Sequence, residues 1–205
     1  MSRTLAPRGT APGEVRIIGG QWKRSKLPVP DRPGLRPTPD RVRETLFNWL
    51  GQDLTGWHCL DAFAGSGALG LEAASRGAAA VRLVELDRTL AAALRQHVAR
   101  LAASGVQVVQ GDALAALRSA TTAAWDLVML DPPFGAAREL FVQCLQAART
   151  LLRPDGRLYL EAPQAWQAAD LQPLGLQLLR HGRAGQVHYH LLALWEPHSA
   201  DNLAP

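Results

Sequence analysis

The sequence has little of what builds a secreted, membrane-spanning or zinc-stapled protein. Its 205 residues include only two cysteines, Cys59 in an apolar run and Cys144 in a helical pattern. That is too few for a disulfide framework, and the spacing is wrong for a zinc site; both are expected to be core thiols. No run reaches eighteen apolar residues, and the opening Met1–Arg8 stretch lacks the apolar core of an export signal, so an unexported, cytoplasmic protein is expected. No internal repeat stands out, although 73–124 is rich in alanine. His188 and His190 share one face of an expected strand, but no third ligand accompanies them and no metal is expected.

What is present is unevenly distributed. The net charge of +4 conceals a first segment, 1–44, with ten Lys or Arg against four acids, while the remaining 161 residues carry twelve against fourteen. Such a concentration implies a polyanion-binding surface. Trp22, Lys23, Arg24, Lys26, Arg36, Arg41 and Arg43 are the candidate nucleic-acid contacts, an indole for a base or sugar to stack on and cations for phosphate. The plainer alternative has Trp22 packing the segment onto the main domain and the cations simply solvated.

Residues 1–13, rich in Pro, Gly, Arg and Thr, are expected to be disordered. Residues 14–38 are expected to form a basic β-hairpin, 15–18 and 21–27 turning at Gly19-Gly20, followed by a proline-punctuated linker. The rest, 39–205, is expected to be one α/β domain. Its first helix is 40–50, with apolar Val42, Leu46, Trp49 and Leu50, Thr38 or Asp40 as cap, and Gly51 as the stop. Strands are then expected at 58–63, 81–85, 106–110, 125–130, 156–161, 175–182 and 186–195. Helices are expected at 67–76, 88–103, 113–119, 137–152 and 164–170. Alternation of this kind gives a mostly parallel, Rossmann-like sheet with helices on both faces. The last two strands, joined at 181–186 without a helix, should form an antiparallel edge hairpin.

Two motifs carry chemistry. His58–Phe63 leads into Gly65-Ser66-Gly67-Ala68-Leu69-Gly70 and a helix. This strand, glycine loop and helix lets backbone N–H groups approach a ligand and favours an anionic group there, such as a carboxylate or pyrophosphate. Alone it matches a nicotinamide-dinucleotide fingerprint as well. Acids close the next strands, Glu85 where a ribose hydroxyl would bind and Asp112 where an adenine amino group would, although solvated strand ends are common. The second motif, Asp131-Pro132-Pro133-Phe134, follows a buried apolar run. Its prolines end the strand and leave a carboxylate, the Pro132 carbonyl and an aromatic ring side by side, the parts that would hold an exocyclic amine. A strand-ending turn is the alternative.

Together with Arg16–Trp22, Gly34–Thr38, Asp40–Leu50, Cys59–Glu72 and Ala184–Val187, these motifs resemble the RsmD-type methyltransferases, over Arg16 to about Trp195. The resemblance implies a class I S-adenosylmethionine-dependent methyltransferase, with a seven-stranded, mostly parallel sheet. It implies methyl transfer from S-adenosyl-L-methionine to guanine N2 of 16S rRNA, at the position conventionally numbered 966. The substrate would sit within an assembling small subunit. Apart from the resemblance, the oligomeric state is open, with a monomer as the default expectation. It places the donor at Asp61, Phe63, Gly65, Gly67, Glu85, Asp112 and Ala113, with Thr38 beside the methionine end. Asp131, Pro132 and Phe134 form the acceptor site. His97 stands where members often carry Asn. An unperturbed Asp has a pKa of about 3.9, so Asp131 is expected to be ionised and to accept from an unpaired or flipped guanine. Competing readings are an amino methyltransferase acting on DNA adenine or another amine, a nicotinamide-dependent oxidoreductase, and a non-catalytic RNA-binding assembly factor.

Overall fold

Short apolar runs alternating with helical stretches close into one seven-stranded sheet, seen in a computed structural model that describes residues 13–32, 35 and 37–195. A two-stranded hairpin, β1 (Gly13–Arg16) and β2 (Lys26–Val29), precedes α1 (Asp40–Trp49). The main sheet is built from β3 (His58–Asp61), β4 (Ala80–Glu85), β5 (Val106–Gln110), β6 (Trp125–Leu130), β7 (Leu152–Ala162), β8 (Leu176–Ala184) and β9 (Val187–Leu194). Between them run α2 (Ala68–Ser75), α3 (Arg88–Arg100), α4 (Ala113–Ser119), α5 (Arg138–Leu151) and the short α6 (Ala168–Leu171) with a 3-10 turn behind it. The strand order is β5-β4-β3-β6-β7-β9-β8. β3 to β7 are parallel neighbours, while β9 runs antiparallel between β7 and β8.

Each central strand is buried on both faces, as parallel sheets require. Alternate residues feed two cores. Cys59, Leu83, Met129, Tyr159 and Leu191 join α1, α2 and the hairpin on one face, while Leu60, Val84, Val128, Leu158 and Leu192 join α4 and α5 on the other. The chain leaves β3 toward β4 and β5 on one side and returns through β6 and β7 on the other. The crevice between β3 and β6 is therefore the topological switch point, where α/β sheets bind ligands.

The edge hairpin is tighter than expected. Ala184 pairs with Val187, so only Gly185-Gln186 turn, and Gly185 takes a left-handed φ of 61°. The helix expected at 164–170 shrinks to the four residues of α6 and its 3-10 extension. Neither Thr38 nor Asp40 caps α1, whose N-cap is Pro39 without a side-chain bond; both side chains are engaged elsewhere. Of the tail expected to be disordered, only Gly13 lies within the described residues, and it pairs with Val29.

The first hairpin departs most from expectation. Gly19-Gly20 is not a two-residue turn; the strands stop at Arg16 and restart at Lys26, leaving a nine-residue loop, 17–25. The reason is where the loop's N–H groups go. Those of Ile18 and Gly19 donate to the two oxygens of Glu72 at 2.9 and 2.7 Å. Gln21 donates to the Ser75 carbonyl and Trp22 to the Ser75 hydroxyl. Gly20 has φ +72°, and a Cβ there would sit 1.8 Å from the Ser75 carbonyl oxygen, so this glycine serves close approach to α2. Val15, Ile17, Leu27 and Val29 accordingly belong to the same core as α1 and α2.

Glu72 is fully buried and also receives two guanidinium groups. Arg43 reaches it at 3.1 Å and Arg76 at 2.9 Å. Arg43 further donates to Asp40 at 2.5 Å, to the Arg16 carbonyl at 2.8 Å and to the Thr38 carbonyl at 3.2 Å. This corrects the expectation that Arg43 contacts RNA. At 1% exposure it has no surface to offer and is the buried cation of this network. Removing one partner of a buried ion pair strands the other charge. Glu72→Ala is therefore expected to destabilise the protein by about 3–5 kcal/mol and to lower the melting temperature by roughly 6–20 °C. Thermal unfolding followed by circular dichroism checks this, and an unchanged midpoint would deny the network any net contribution.

Candidate active site at the carboxyl ends of the parallel strands

The period-two alternation that sorts the two cores also orients the strand ends. Asp61 follows Cys59 by two residues, Glu85 follows Leu83, Asp131 follows Met129, and Glu161 follows Tyr159. All four carboxylates therefore face the α1–α2 side of the sheet. β6 and β7 are in register at Leu130 and Leu160, which puts Asp131 beside Glu161, and the Asp61 end of β3 lies across the switch point.

The glycine loop is arranged differently from the expectation that it cradles an anion. The Gly65 N–H donates to Glu85 at 2.8 Å, and the Gly70 N–H, in the first turn of α2, donates to Asp61 at 3.0 Å. Gly65 and Gly67 have φ of +51° and +79°, and a Cβ on Gly67 would lie 2.6 Å from Leu94. A Cβ on Gly70 would lie 2.2 Å from Leu83. The glycines thus bring α2 hard against β3 and β4 and hand loop N–H groups to the protein's own carboxylates. A pyrophosphate would meet this acidic row and be repelled. A cation would be attracted.

Asp61 is the most constrained of the four. It is 1% exposed, and its Oδ1 has no partner in hydrogen-bond geometry; the Phe63 N–H acts on it only from outside that geometry. Burial, followed in effect by the nearby Glu85 charge, pushes its pKa up to about 7 against the opposing Gly70 bond. Burial, then Glu161, then Asp61 push Asp131 well above the ordinary carboxylate range. The expectation of an ordinarily ionised Asp131 is therefore corrected, because its neighbours are acids and not cations. Glu161 was not among the expected site residues. It is 4% exposed and raised by burial, against hydrogen bonds from Tyr159 (2.9 Å) and the Thr38 hydroxyl. Its signal in the sequence was the one that identified Glu85, an acid closing an apolar strand.

Around this row the remaining expected residues take definite places. Thr38 is buried beside Glu161. Phe63 is half-buried after β3. Asp112 caps α4 through the Ala115 N–H at 2.8 Å, with Ala113 buried behind it. Pro132 is buried, the Pro133 carbonyl closes a turn onto the Ala136 N–H, and no described residue donates to the Pro132 carbonyl. Phe134 is 46% exposed and Leu86, directly after Glu85, is 69% exposed. Two unusually bare apolar side chains thus bracket the carboxylates.

Comparison with known proteins decides the class. The model for the family described as "Conserved hypothetical protein 95" matches residues 15–193. Ribosomal RNA small subunit methyltransferase D of Escherichia coli K12 is 44% identical over 187 residues, covering 90% of this chain and 92% of its own. The Haemophilus influenzae protein of the same name is 41% identical, covering 88% and 94%. The chain belongs to this methyltransferase family. Its fold agrees. A solved Escherichia coli chain assigned to the methyltransferases, yhhF, superposes with a TM-score of 0.75 at 40% identity, covering 89% of this chain and 99% of its own. A solved Haemophilus influenzae chain assigned to the methylases, HI0767, superposes with a TM-score of 0.73 at 36% identity, covering 90% and 100%. The sheet is thus the Rossmann-like sheet of the class I methyltransferases, as the sequence suggested.

The basic segment divides. Lys23, Arg24, Lys26 and Arg41 are exposed, with Lys26 3.0 Å from Glu14. Trp22 is half-buried against the core, and Arg36 lies outside the described residues. A cleft of about 470 Å3 opens between loop 17–25 and the far end of α1, lined among others by Gly20, Lys23, Asn48 and Arg76. None of the four carboxylates lines it. His97 is buried, bonded to the Pro28 carbonyl and held below its usual pKa by burial. His190 is buried, accepting from the Trp166 N–H and donating to the Leu160 carbonyl, so it is fixed as the neutral form.

Raised acids make stability depend on pH in a definite direction. A carboxyl with a folded pKa near 7 and an unfolded pKa near 3.9 binds more protons when folded, so its contribution is full below about pH 4 and is lost as pH rises toward 7. Asp61 alone accounts for at most about 4 kcal/mol of that loss. Asp61→Asn is expected to flatten the fall of the melting temperature between pH 4 and pH 7, measured by thermal unfolding across that range.

Proposed function

We propose that the protein transfers a methyl group from S-adenosyl-L-methionine to the exocyclic N2 of a guanine in 16S ribosomal RNA, presented within an assembling small subunit. The observation that carries this reading is the row of four carboxylates at the switch point, adjoining an Asp-Pro-Pro-Phe turn with a bare aromatic ring. The acidic row suits a cationic donor and not a dinucleotide, and the turn suits a planar base bearing an amine. The relatives' name supplies the polymer.

The donor fits the residues present. Asp61, with its unpartnered Oδ1, and Glu85 would offer acceptors to its polar end groups, Leu86 would offer an apolar surface to its adenine, and Asp112 would take the adenine amino group. Thr38 and Phe63 border the methionine end. When bound, it supplies an electrophilic methyl group on a positively charged sulfur.

The protein's own task is to present the nucleophile. A guanine N2 lone pair is delocalised into the ring. Asp131 and the Pro132 carbonyl, accepting from the two N2 hydrogens, favour a pyramidal nitrogen whose lone pair is free to point at the methyl group. Phe134 holds the plane of the base, which must be unpaired or flipped because N2 of a paired guanine faces the minor groove. As the N–C bond forms and the S–C bond breaks, the nitrogen becomes cationic and gives up a proton, for which Asp131 is the adjacent acceptor. Holding the reactants in line is worth up to roughly 7–11 kcal/mol in intramolecular systems. Lys23, Arg24, Lys26 and Arg41, with Trp22, would meet the RNA backbone beyond the target base, a sequence-independent contribution that weakens with salt.

Incubation with methyl-labelled donor and undermethylated small subunits, followed by nucleoside mass spectrometry, is expected to yield N2-methylguanosine. Asp131→Ala is expected to lower kcat/KM by at least about 100-fold, as loss of a positioned polar group in a dry site does. Phe134→Ala, losing one base-stacking surface of about 1–3 kcal/mol, is expected to act chiefly on KM. Label in N6-methyladenosine would overturn the base assignment. Donor binding without any label would favour an assembly factor.

A further inference from the structure

The proposed chemistry asks Asp131 to accept hydrogen bonds, yet the groups around it are arranged to keep it protonated. On β7, the neighbouring strand, Glu161 faces the same side of the sheet in the adjoining register position. On β3, Asp61 faces the same space, with Glu85 on β4 behind it. Glu161 is the better held of the two adjoining acids: Tyr159 donates to Oε1 at 2.9 Å and Thr38 donates as well. Tyr189 pairs with Glu161 in register on β9. Arg43, the nearest cation of α1, spends its Nε on the Thr38 carbonyl and its other nitrogens on Glu72, Asp40 and the Arg16 carbonyl. Among the described residues no Lys, Arg or His forms an ion pair with Asp131 or Glu161. His188 and His190, on β9, point to the opposite face.

Two carboxyl groups side by side at the edge of a core do not both ionise readily; they share a proton and titrate as a pair. We propose that Glu161 is a positioning residue that couples to Asp131 as one proton-holding pair, which keeps a proton until the positively charged sulfur of the methyl donor arrives and displaces it to solvent. The inference rests on the donor-site reading above. Its consequence is ordered activation. Asp131 becomes a full acceptor for the N2 hydrogens only once the donor is in place, and after transfer, when the sulfur is neutral, the pair takes a proton back. The bookkeeping closes within the reaction, because the proton lost by the methylated nitrogen is the one the pair regains.

The test is the pH dependence of binding, with a charged and an uncharged sulfur compared. Titration calorimetry of the full chain with S-adenosylmethionine and S-adenosylhomocysteine, in buffers of differing ionisation enthalpy, reads both affinity and proton release. For the unaltered protein, affinity for S-adenosylmethionine is expected to rise with pH toward neutrality, by up to about tenfold per unit where one proton is released. S-Adenosylhomocysteine should show a shallower rise and less proton release. Glu161→Gln is expected to abolish that difference between the two ligands. Asp61 is itself raised in part by Glu161, so its titration does not cancel from the comparison; the Tyr159 bond, made to Glu161 and not to Asp61, separates the two. Tyr159→Phe keeps both carboxyls and removes a bond that favours ionised Glu161, so it should retain the difference and move it to higher pH.

Equal slopes for the two ligands in the unaltered protein, or an unchanged difference in Glu161→Gln, overturn the pair. Loss of the difference in Tyr159→Phe as well would make it an effect of packing and overturn the pair too. If the unaltered protein binds neither ligand, the donor-site reading itself falls.

Discussion

One buried carboxylate holds the working parts together. Glu72 takes two backbone N–H groups from the loop after β1, a guanidinium from α1 and a guanidinium from its own helix, α2. Those three segments have different tasks. The loop carries the exposed cations, α1 starts just after Thr38, which touches Glu161, and α2 starts at the glycine loop below Asp61. A buried ion pair gains little net stability over an apolar filling, because desolvation offsets much of the attraction. What it does enforce is register. A Glu72 oxygen displaced by one turn would leave two N–H groups and two cations without acceptors, each a penalty of kcal/mol order. The small hairpin is thereby locked to the α1–α2 face of the sheet.

The carboxylate row applies the opposite logic. At Glu72 every charge is answered, whereas at the strand ends the acids answer one another. Asp61 and Asp131 are raised above their ordinary range, and the unpartnered Oδ1 of Asp61 is the kind of buried polar atom that calls for an explanation. A site that is electrostatically unsatisfied when empty gives up folding stability and gains binding energy for a ligand of the complementary sign. The glycine loop agrees with this. Its closeness to β3 and β4 brings the Gly65 and Gly70 N–H groups to acids and leaves a negative mouth, so a strand-loop-helix that reads like a dinucleotide motif in sequence acquires the other charge preference in space.

Much of this was legible beforehand, for physical reasons. Periodicity reports which side of an element is dry, and so the order of strands and helices and the antiparallel end were readable, as were the strand-end positions of Glu85 and Asp131; the strand before the glycine loop was expected to run to 63 and ends at Asp61. The misreadings share a cause: each depended on a partner distant in the chain. Arg43 sits among other basic residues and looks solvated until α2, some thirty residues later, supplies Glu72. Gly19-Gly20 looks like a hairpin turn until Ser75 is seen to crowd it. Asp131 looks like an ordinary ionised strand-end acid until the fold buries it and β7 places Glu161 alongside. Glu161 itself closes Leu158-Tyr159-Leu160 just as Glu85 closes its strand, and consistent use of the strand-end signal would have found it.

The exposed apolar side chains complete the argument about direction. Among the described residues only Leu86, Phe134 and Trp195 are large, hydrophobic and well exposed, and the first two follow strand-end acids directly or by a short turn. Burying such a side chain is worth about 1.5–3 kcal/mol, so leaving two bare at one edge of a well-packed sheet is a cost without structural return. Each is the right kind of surface for a flat heterocycle. Leu86 lies on the β4 side of the switch point and Phe134 on the β6 side, with the carboxylates between them. Two bases held on those surfaces would bring their substituents together over the acids, the donor's cationic sulfur from one side and the acceptor's amine from the other. On the proposed reading, the row that would attract the donor would also adjoin the nitrogen that must lose a proton, so a single electrostatic feature would serve binding and proton removal.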